Sequence, residues 1–321
     1  MALLGLIDQP PVSRSRPRRT RDHQIQPLQL AGLLEKIVGA DAEGAHGIRH
    51  APVTRQKKPL RVGQPWPDGF HEIETLMVKL PGLADEITIL PSDQFSFTCS
   101  DPSLPTDSRN LAVKAVEALA EKTGHPQHYQ IHLEKRIPHG AGLGGGSSNA
   151  ATVLLALNSQ LANPLSPQEL HELAATIGSD VPFFLYAGAA WCRGRGEIIE
   201  AAPAPPALPI VLFKPGFSVS TADAYHNCLE AEPLPGIRYD PYTYEGLELV
   251  NDLEKPVFTK HRYLAEFKDW LQNRRDTKTA LMTGSGSTMI AILRPKGRAD
   301  NLIYTAHKYF DANLWTWSGT L

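Results

Sequence analysis

The sequence has few cysteines, little net charge and no long apolar run. Its three cysteines, Cys99, Cys192 and Cys228, are far apart and form no C-x-x-C pair. This argues against a disulfide framework or a zinc site and is typical of a reducing cytosol. A formal net charge of -2 gives no overall field that favours nucleic acid or a membrane surface. Because no stretch is apolar for long enough to cross a bilayer, we expect a cytoplasmic protein without nucleic-acid or membrane partners.

A metal cluster is also not indicated. His125, His128 and His132 lie on a turn that leads into an alternating segment, and we read them as lacking acidic or thiol companions. Zinc and similar ions need such companions. We therefore interpret the three histidines as surface residues and predict no metal ligands.

Residues 1 to 50 differ in composition from the rest of the chain. Five arginines stand among Pro and Ser between positions 14 and 21. One interpretation is a disordered or mis-annotated extension. The other is an organelle transit peptide, which would place the protein in a plastid, although Asp8 and Asp22 weaken it. We favour the first interpretation.

The remaining chain divides at a Pro- and Ala-rich hinge, residues 201–209. This predicts a first domain over residues 51–204 and a second over residues 205–321. Alternating and helical patterns mix in both parts, which predicts an α+β or α/β class.

Periodicity predicts the individual elements. In the first part it indicates strands at 86–90, 94–100 and 129–135, helices at 110–122, 148–161 and 167–177, and a strand-like run at 181–188. In the second part it indicates a strand at 210–213, helices at 221–229, 261–274 and 301–309, two strands around the sequence GSGS, and a last strand at 314–317.

The stretch PHGAGLGGGSSNAA, beginning at Pro138, is rich in glycine and leads directly into a predicted helix. Glycines let the backbone approach a ligand closely, and a helix N-terminus presents unpaired N–H groups to anions. We expect a phosphate loop with the hydroxyls of Ser147 and Ser148 at the helix cap. A tight turn without a ligand is the alternative, but so many glycines cost too much backbone order for a turn alone.

Two common phosphate loops do not match this stretch. A Walker loop requires a lysine after its last glycine, and none is present. Gly140, Gly142 and Gly145 satisfy G-x-G-x-x-G, but neither a purely apolar strand before the loop nor an acidic residue about 20 positions later is present. A dinucleotide-binding dehydrogenase is therefore disfavoured.

The same stretch resembles the ATP loop of the GHMP kinases. Further segments resemble that family in the expected order: PDGFHEIETL from Pro67, IGSDVPFFLYAGAAWCRGRGE from Ile177, STADAY from Ser220, NDLE from Asn251 and MTGSGST from Met282. The resemblance extends from about Pro67 to the C-terminus. It implies a two-domain α+β kinase with a ribosomal-S5-domain-2-like N-terminal domain and a ferredoxin-like C-terminal domain, with the substrates in the cleft between them.

The resemblance also implies the activity. It implies ATP-dependent phosphorylation of an alcohol on a small molecule with a cytidine diphosphate end, in isoprenoid precursor synthesis. The cofactors would be ATP and Mg²⁺, and the protein a monomer or weak homodimer. The implied ATP-binding residues are Pro138, Gly140, Gly142, Leu143, Gly144, Gly145, Gly146, Ser147, Ser148 and Asn149.

Asp180 matches the family's catalytic base, a carboxylate that orients the hydroxyl and takes its proton. A turn aspartate is the alternative.

Phe70 and His71 match the cytosine-binding positions, and Tyr225 matches the aromatic residue on the opposite side, although core packing would also explain Tyr225. A second set, Gly284, Ser285 and Gly286, matches a glycine loop lining the cleft, for which an ordinary hairpin turn is the alternative. Asn110 either faces the nucleotide or caps its helix, and we favour the cap.

The resemblance fails over residues 51–66. The family has a lysine in its first strand near the transferred phosphoryl group, where this chain has Thr54, and an asparagine where it has Gln56. Lys57 and Lys58 are close, but a shift by one residue moves a side chain to the other face of a strand. The segment also makes a poor buried strand. A local gene-model error, a shifted lysine and a weak or inactive kinase are the three explanations, and we favour the first. Two alternatives to the implied activity thus stay open: another small-molecule GHMP kinase, or a nucleotide-binding pseudokinase.

Overall fold

The computed structural model describes residues 60–321 apart from Asp68, Gln127, Asn227, Glu245 and Gly246. The expectations for residues 1–50 and for the divergent residues 51–59, including Thr54, Gln56, Lys57 and Lys58, lie outside these described residues. Over the part of the chain that is described, no helix is long and apolar enough to span a bilayer.

The first half mixes strands and helices, as the sequence predicts. Its elements are β1 Arg61–Pro65, β2 His71–Met77, β3 Glu86–Pro91, β4 Ser96–Cys99, α1 Leu111–Thr123, β5 Tyr129–Glu134, α2 Gly145–Gln160, α3 Pro167–Ile177, α4 Val181–Leu185, β6 Ala189–Gly194 and β7 Ile198–Ala202. They form an antiparallel sheet of order β1-β2-β6-β7 and a second sheet of order β3-β5-β4.

In the second sheet, β3 and β4 do not pair with each other, although their sequences suggest a pair. Strand β5 lies between them, antiparallel to β3 and parallel to β4. The reason is topological: helix α1 carries the chain from β4 back to the start of β5, and a crossover of this kind produces parallel neighbours.

Helix α1 begins and ends within one residue of the predicted bounds because both ends are capped. The Asn110 side chain accepts a hydrogen bond from the Ala112 N–H, and Gly124 ends the helix in the left-handed conformation at φ 70°. Asn110 also donates its side-chain amide to Pro105 O at 3.0 Å. The structure therefore shows the capping role that we favour.

Two predictions of element type or extent in this half are wrong. The run VPFFL forms the short helix α4, not a strand, because Pro182 lies in its first turn and the run packs among helices. Helix α2 begins at Gly145, three residues earlier than predicted, because Gly144 turns the chain in the left-handed conformation. Ser147 and Ser148 therefore lie within the first helical turn and do not cap it.

The second half contains a four-stranded antiparallel sheet of order β11-β12-β8-β13. Its elements are β8 Pro209–Lys214, α5 Thr221–Tyr225, β9 Tyr242–Tyr244, β10 Leu247–Leu249, α6 Glu254–Lys260, α7 Arg262–Gln272, β11 Thr277–Met282, β12 Met289–Leu293, α8 Ala299–Tyr309 and β13 Trp315–Thr320. Helix α5 ends at Tyr225, four residues before the predicted end, because the chain turns at His226 into an extended conformation.

The two halves share part of their core. Leu60 immediately precedes β1, and Val62 and Ile73 lie in β1 and β2. All three belong to the buried cluster built mainly from the second half, with Val211 and Phe213. Arg61 also pairs with Asp252 at 2.9 Å. The hinge at residues 201–209 therefore joins parts that are packed together, not two separate bodies.

Candidate active site

The glycine-rich stretch forms a loop in front of α2. Gly140, Gly142 and Gly144 have φ values of 58°, 68° and 68°, a conformation that other residues rarely adopt. A side chain on Gly142 would overlap Thr283 O and lie 2.8 Å from Gly286 O. The loop thus requires glycine at this position because a second backbone segment lies directly against it.

The first turn of α2 leaves backbone donors free. Its first helical hydrogen bond runs from the Ser148 N–H to Gly144 O, at 2.9 Å. The N–H groups of Gly145, Gly146 and Ser147 therefore have no acceptor within the helix, which is the arrangement that binds anions. The hydroxyls of Ser147 and Ser148 have no hydrogen-bond partner in the described part of the chain. The predicted phosphate-binding groups are thus available to a ligand.

A buried carboxylate holds this loop in place, and the sequence did not point to it. Asp85 accepts hydrogen bonds from the backbone N–H groups of Arg136 and Ile137, both at 2.8 Å, and pairs with Lys135 Nζ. Its other bond, at 2.9 Å, comes from the side chain of Asn149. Asn149 is predicted to bind ATP, but in the structure its side-chain amide donates to Asp85. An aspartate before a strand has no distinctive pattern, so no sequence signal could have identified Asp85.

Leu143 faces away from the ligand side of the loop. It packs against a cluster of the second half that contains Leu208, Ile210 and Ile292. Pro138, which precedes the loop, is half-buried. The loop is therefore anchored to both halves of the molecule.

Asp180 lies at the start of α4, and this helix connects it to the glycine loop. The ring of Phe184, one turn along α4, is so close to Gly144 that a side chain there would lie 2.8 Å from it. At the other end of α4, Lys79 Nζ donates to Phe184 O at 3.2 Å and to Tyr186 O. The helix that follows Asp180 is thus held by its contact with Gly144 and by Lys79, and periodicity predicts neither contact.

The Asp180 carboxylate is accessible to solvent but has protein on most sides. The turn after β6 lies beside it, since a side chain on Gly196 would lie 3.3 Å from Asp180 Oδ1. This enclosure raises the pKa of Asp180 above its ordinary value of 3.8. Burial, together with the Asp180 charge, also raises the pKa of the Cys192 thiol to about 12. Cys192 is therefore a neutral group behind the site.

An aromatic site adjoins Asp180. The rings of His71 and Tyr225 are stacked with centroids 6.0 Å apart and planes 30° apart. Burial, with a smaller contribution from the Asp180 charge, raises the pKa of the Tyr225 hydroxyl, so this phenol stays neutral. His71 Nδ1 lies 2.9 Å from Gly63 O. Because a carbonyl can only accept, the neutral imidazole has its proton on Nδ1 and a lone pair on Nε2.

Phe70 belongs to the same region but points outward, with 48% of its surface exposed. The Arg195 guanidinium lies 4.3 Å from the Phe70 ring centroid and 5.5 Å from that of Trp66. Both are cation–π distances. Arg195 and Trp66 are thus further residues near the site that the sequence analysis did not single out.

The predicted second glycine loop connects β11 to β12 and lies directly against the first. A side chain on Gly284 would lie 3.2 Å from Gly142 O, and the Thr288 N–H donates to Ala141 O at 3.2 Å. Ser285 Oγ is 3.1 Å from Thr221 Oγ1, at the start of the helix that carries Tyr225. The connection itself is a hairpin, which was the alternative interpretation, and the structure packs this hairpin against the first glycine loop.

The three histidines that precede or lie in β5 have few acidic neighbours. His132 does have an acidic neighbour, since its Nε2 lies 3.7 Å from Glu134, which corrects the sequence analysis. Even so, within residues 60–321, apart from the five not described, no three His, Cys, Asp or Glu side chains come together as a metal site.

The fold and the two opposed glycine loops define a GHMP kinase. The model of the GHMP kinases N terminal domain matches residues 110–188, and that of the GHMP kinases C terminal domain matches residues 243–312. A mevalonate kinase of L. major has the same fold, with a TM-score of 0.56 at 14% identity over 84% of this chain and 98% of that one. The two-domain α+β class predicted from the sequence is thus confirmed.

Relatives of higher identity define the family more narrowly. The 4-diphosphocytidyl-2-C-methyl-D-erythritol kinase of Methylacidiphilum infernorum is 40% identical over 260 residues, covering 80% of this chain and 90% of the relative. The chloroplastic enzyme of Oryza sativa subsp. japonica is 39% identical over 78% of this chain, which spans 65% of that relative's length. The crystal structure of a 4-(cytidine 5'-diphospho)-2C-methyl-D-erythritol kinase superposes with a TM-score of 0.62 at 33% identity, over 82% of this chain and 94% of that one. The chain therefore belongs to the 4-diphosphocytidyl-2-C-methyl-D-erythritol kinase family.

Proposed function

We propose that this protein transfers the terminal phosphoryl group of ATP to the 2-hydroxyl of 4-diphosphocytidyl-2-C-methyl-D-erythritol. The observation that carries the proposal is the position of Asp180. It precedes α4, whose Phe184 lies against the glycine loop. Its charge also acts on Tyr225, which stacks on His71. A carboxylate between a phosphate site and an aromatic site can act on a hydroxyl presented there. The names of the relatives supply the substrate.

The glycine loop would bind the triphosphate. The free N–H groups of Gly145, Gly146 and Ser147 are aligned with the positive end of α2, which stabilises negative charge. Catalysis of phosphoryl transfer depends mainly on holding the reactants in line and on compensating charge. The loop, fixed by Asp85, supplies both without moving.

Asp180 would orient the hydroxyl and accept its proton. A general base works best when its pKa is not far below the working pH. The raised pKa of Asp180 is consistent with this role. As the hydroxyl oxygen bonds to the γ-phosphorus of ATP, the bond from that phosphorus to the β,γ-bridging oxygen would break and ADP would leave. The proton would stay on Oδ1 or Oδ2 of Asp180 until the product leaves.

The His71–Tyr225 pair and Phe70 would bind the cytidine end. Aromatic faces stack on a nucleobase, and the His71 Nε2 lone pair can accept a hydrogen bond from the exocyclic amine of cytosine. We propose that Gly284, Ser285 and Gly286 line the space between the nucleoside and the phosphates.

Mg²⁺ fits this site as a companion of ATP. It binds through one or two protein oxygens together with substrate phosphates and does not require a cluster of carboxylates. The unpaired hydroxyls of Ser147 and Ser148 are oxygen donors of the right kind. Bound Mg²⁺ would neutralise phosphate charge.

The test is a coupled ADP-release assay with the full chain, ATP and the diphosphocytidyl substrate, followed by ³¹P NMR of the product. We expect turnover that CDP inhibits, and no turnover with homoserine or mevalonate. Turnover with homoserine that CDP does not inhibit would contradict the proposal in favour of another GHMP kinase activity. Binding of a nonhydrolysable ATP analogue without turnover of any substrate would instead identify a pseudokinase, as the divergent residues 51–58 suggest.

A further inference from the structure

Asn251 lies behind the second glycine loop, with only 4% of its surface exposed. Its Nδ2 donates to Met282 O and to Gly284 O, both at 2.8 Å. Its Oδ1 accepts from the Leu253 N–H at 3.0 Å. Both amide hydrogens are thus used on the two carbonyls where the chain leaves β11 and enters the loop.

Glu254 fixes the same strand end from the other side. Its Oε1 accepts from the Met282 N–H at 2.8 Å, and its Oε2 pairs with the buried Lys268 at 2.5 Å. Glu254 therefore binds the N–H of Met282, and Asn251 binds its C=O. The bond from Asn251 to the Gly284 carbonyl continues this support from the strand end into the loop.

A displacement of Gly284 would reach both ends of the cleft. On one side Gly284 lies against the backbone of Gly142, in the loop proposed to bind phosphates. On the other side Ser285 contacts Thr221, which begins the helix that carries Tyr225. Packed backbone segments have no space to absorb a shift, so it passes from one to the next.

We propose that Asn251 is a positioning residue for phosphoryl transfer: it holds the second glycine loop against the first, and so sets the distance between the triphosphate and the cytidine-bound hydroxyl. The inference rests on the proposed function for its kinetic part. Its geometric part depends only on the contacts of Asn251. Loss of the two donors would let the loops separate, while the groups proposed to bind the triphosphate and the cytidine end would remain.

The experiment compares Asn251→Ala with Asn158→Ala in the full chain. Asn158 is a matched control because it is 3% exposed and its amide likewise binds backbone, donating to Leu165 O at 3.0 Å and accepting from Leu165 N at 3.1 Å. It lies at the far end of α2, about 20 Å from Gly144 at ~1.5 Å per residue. Both variants should lower Tm similarly.

Only Asn251→Ala should slow the reaction. We expect kcat to fall about 10- to 100-fold, the effect of a small misplacement of reacting groups, with KM for both substrates changed much less. Asn158→Ala should keep the wild-type kcat. Equal losses of kcat in the two variants, measured below both Tm values, would show a structural role alone and overturn the proposal.

Hydrogen–deuterium exchange tests the geometry independently of activity. Asn251→Ala should speed exchange in residues 139–148 and 283–288, whereas Asn158→Ala should speed it only near Leu165. Unchanged exchange in both loops would overturn the proposal even if kcat falls.

If wild-type protein shows no turnover, the proposed function fails, and the exchange result still decides the role of Asn251. Asn251→Ser retains one donor and should give smaller effects, so it serves if the alanine variant does not fold. If neither variant folds, Asn251 is a folding determinant and the proposal is wrong.

Discussion

The Asp180 carboxylate has protein on most sides, although the residue itself is exposed to solvent. It has no ion-pair partner among the described residues, and enclosure by protein raises its pKa. Such an arrangement favours a proton acceptor, since the carboxylate gains by taking a proton. The same enclosure has a cost in folding free energy, because the unfolded chain would solvate the charge fully.

We predict that Asp180→Asn removes activity and stabilises the fold at neutral pH. The loss in kcat should be about 100- to 10,000-fold, the usual contribution of a general base. A carboxyl whose pKa is raised in the folded state destabilises the protein above that pKa, and the effect disappears below the unfolded value near 3.8. The gain in the free energy of unfolding should therefore be present at pH 7 and shrink on acidification. Urea denaturation over this pH range measures it.

Asp93→Asn is the control, since Asp93 is exposed on the turn between β3 and β4. It should change neither kcat nor stability. The wild-type pH profile gives a second check: its acidic limb should fall with an apparent pKa above 3.8, the ordinary value for aspartate. A variant at Asp180 that loses stability at pH 7 would contradict this account of its solvation.

At the scale of elements, α4 shows what periodicity cannot predict. The run VPFFLYAG has the apolar composition of a buried strand, and the sequence analysis interpreted it in that way. In the structure it is a one-turn helix whose C-terminal end is held by Lys79 and by the contact between Phe184 and Gly144. Short apolar runs are ambiguous between helix and strand, and here distant residues decide.

We predict that Lys79→Met weakens catalysis through α4. Burial lowers the pKa of Lys79, and its ammonium donates to Phe184 O and Tyr186 O. Methionine keeps the packing of the stem but leaves both carbonyls without this donor. We expect a loss of about 1 to 2 kcal/mol in stability and a fall of about 10-fold in kcat, measured by denaturation and steady-state kinetics.

Lys79→Arg keeps donors at this position and should restore part of the loss. Lys296→Met, on an exposed turn of the second half, should have no effect. If Lys79→Met lowered stability but left kcat at the wild-type value, Lys79 would stabilise α4 without positioning Asp180.

At the scale of the whole molecule, the glycine loops were predictable and their contact was not. Each loop has a motif of its own, so the resemblance identified both. That Gly142 and Gly284 lie against each other follows from the packing of the two halves, to which Leu60, Val62 and Ile73 contribute. Likewise Asp85 holds the first loop, although it precedes Arg136 by 51 residues. A local sequence pattern cannot predict a contact over that separation. Local signals thus predicted the elements and motifs, while long-range packing determined the site.

The contact between the loops predicts different results for two glycine substitutions with similar backbone strain. Gly142 and Gly124 have φ values of 68° and 70°. A side chain at Gly124 would meet nothing within 4 Å, whereas one at Gly142 would lie 2.8 Å from Gly286 O. Gly124→Ala should therefore cost only the left-handed strain, about 1 to 2 kcal/mol. Gly142→Ala should cost more and separate the loops.

Nucleotide binding distinguishes the two variants. A nonhydrolysable ATP analogue at 100 times its Kd should stabilise wild-type protein and Gly124→Ala by about 2.7 kcal/mol. It should stabilise Gly142→Ala far less at the same concentration, because the second loop must move and the free N–H groups at the start of α2 lose their alignment. Denaturation with and without the analogue measures this. Equal stabilisation of all three proteins would mean that the nucleotide site does not depend on the contact between the two halves.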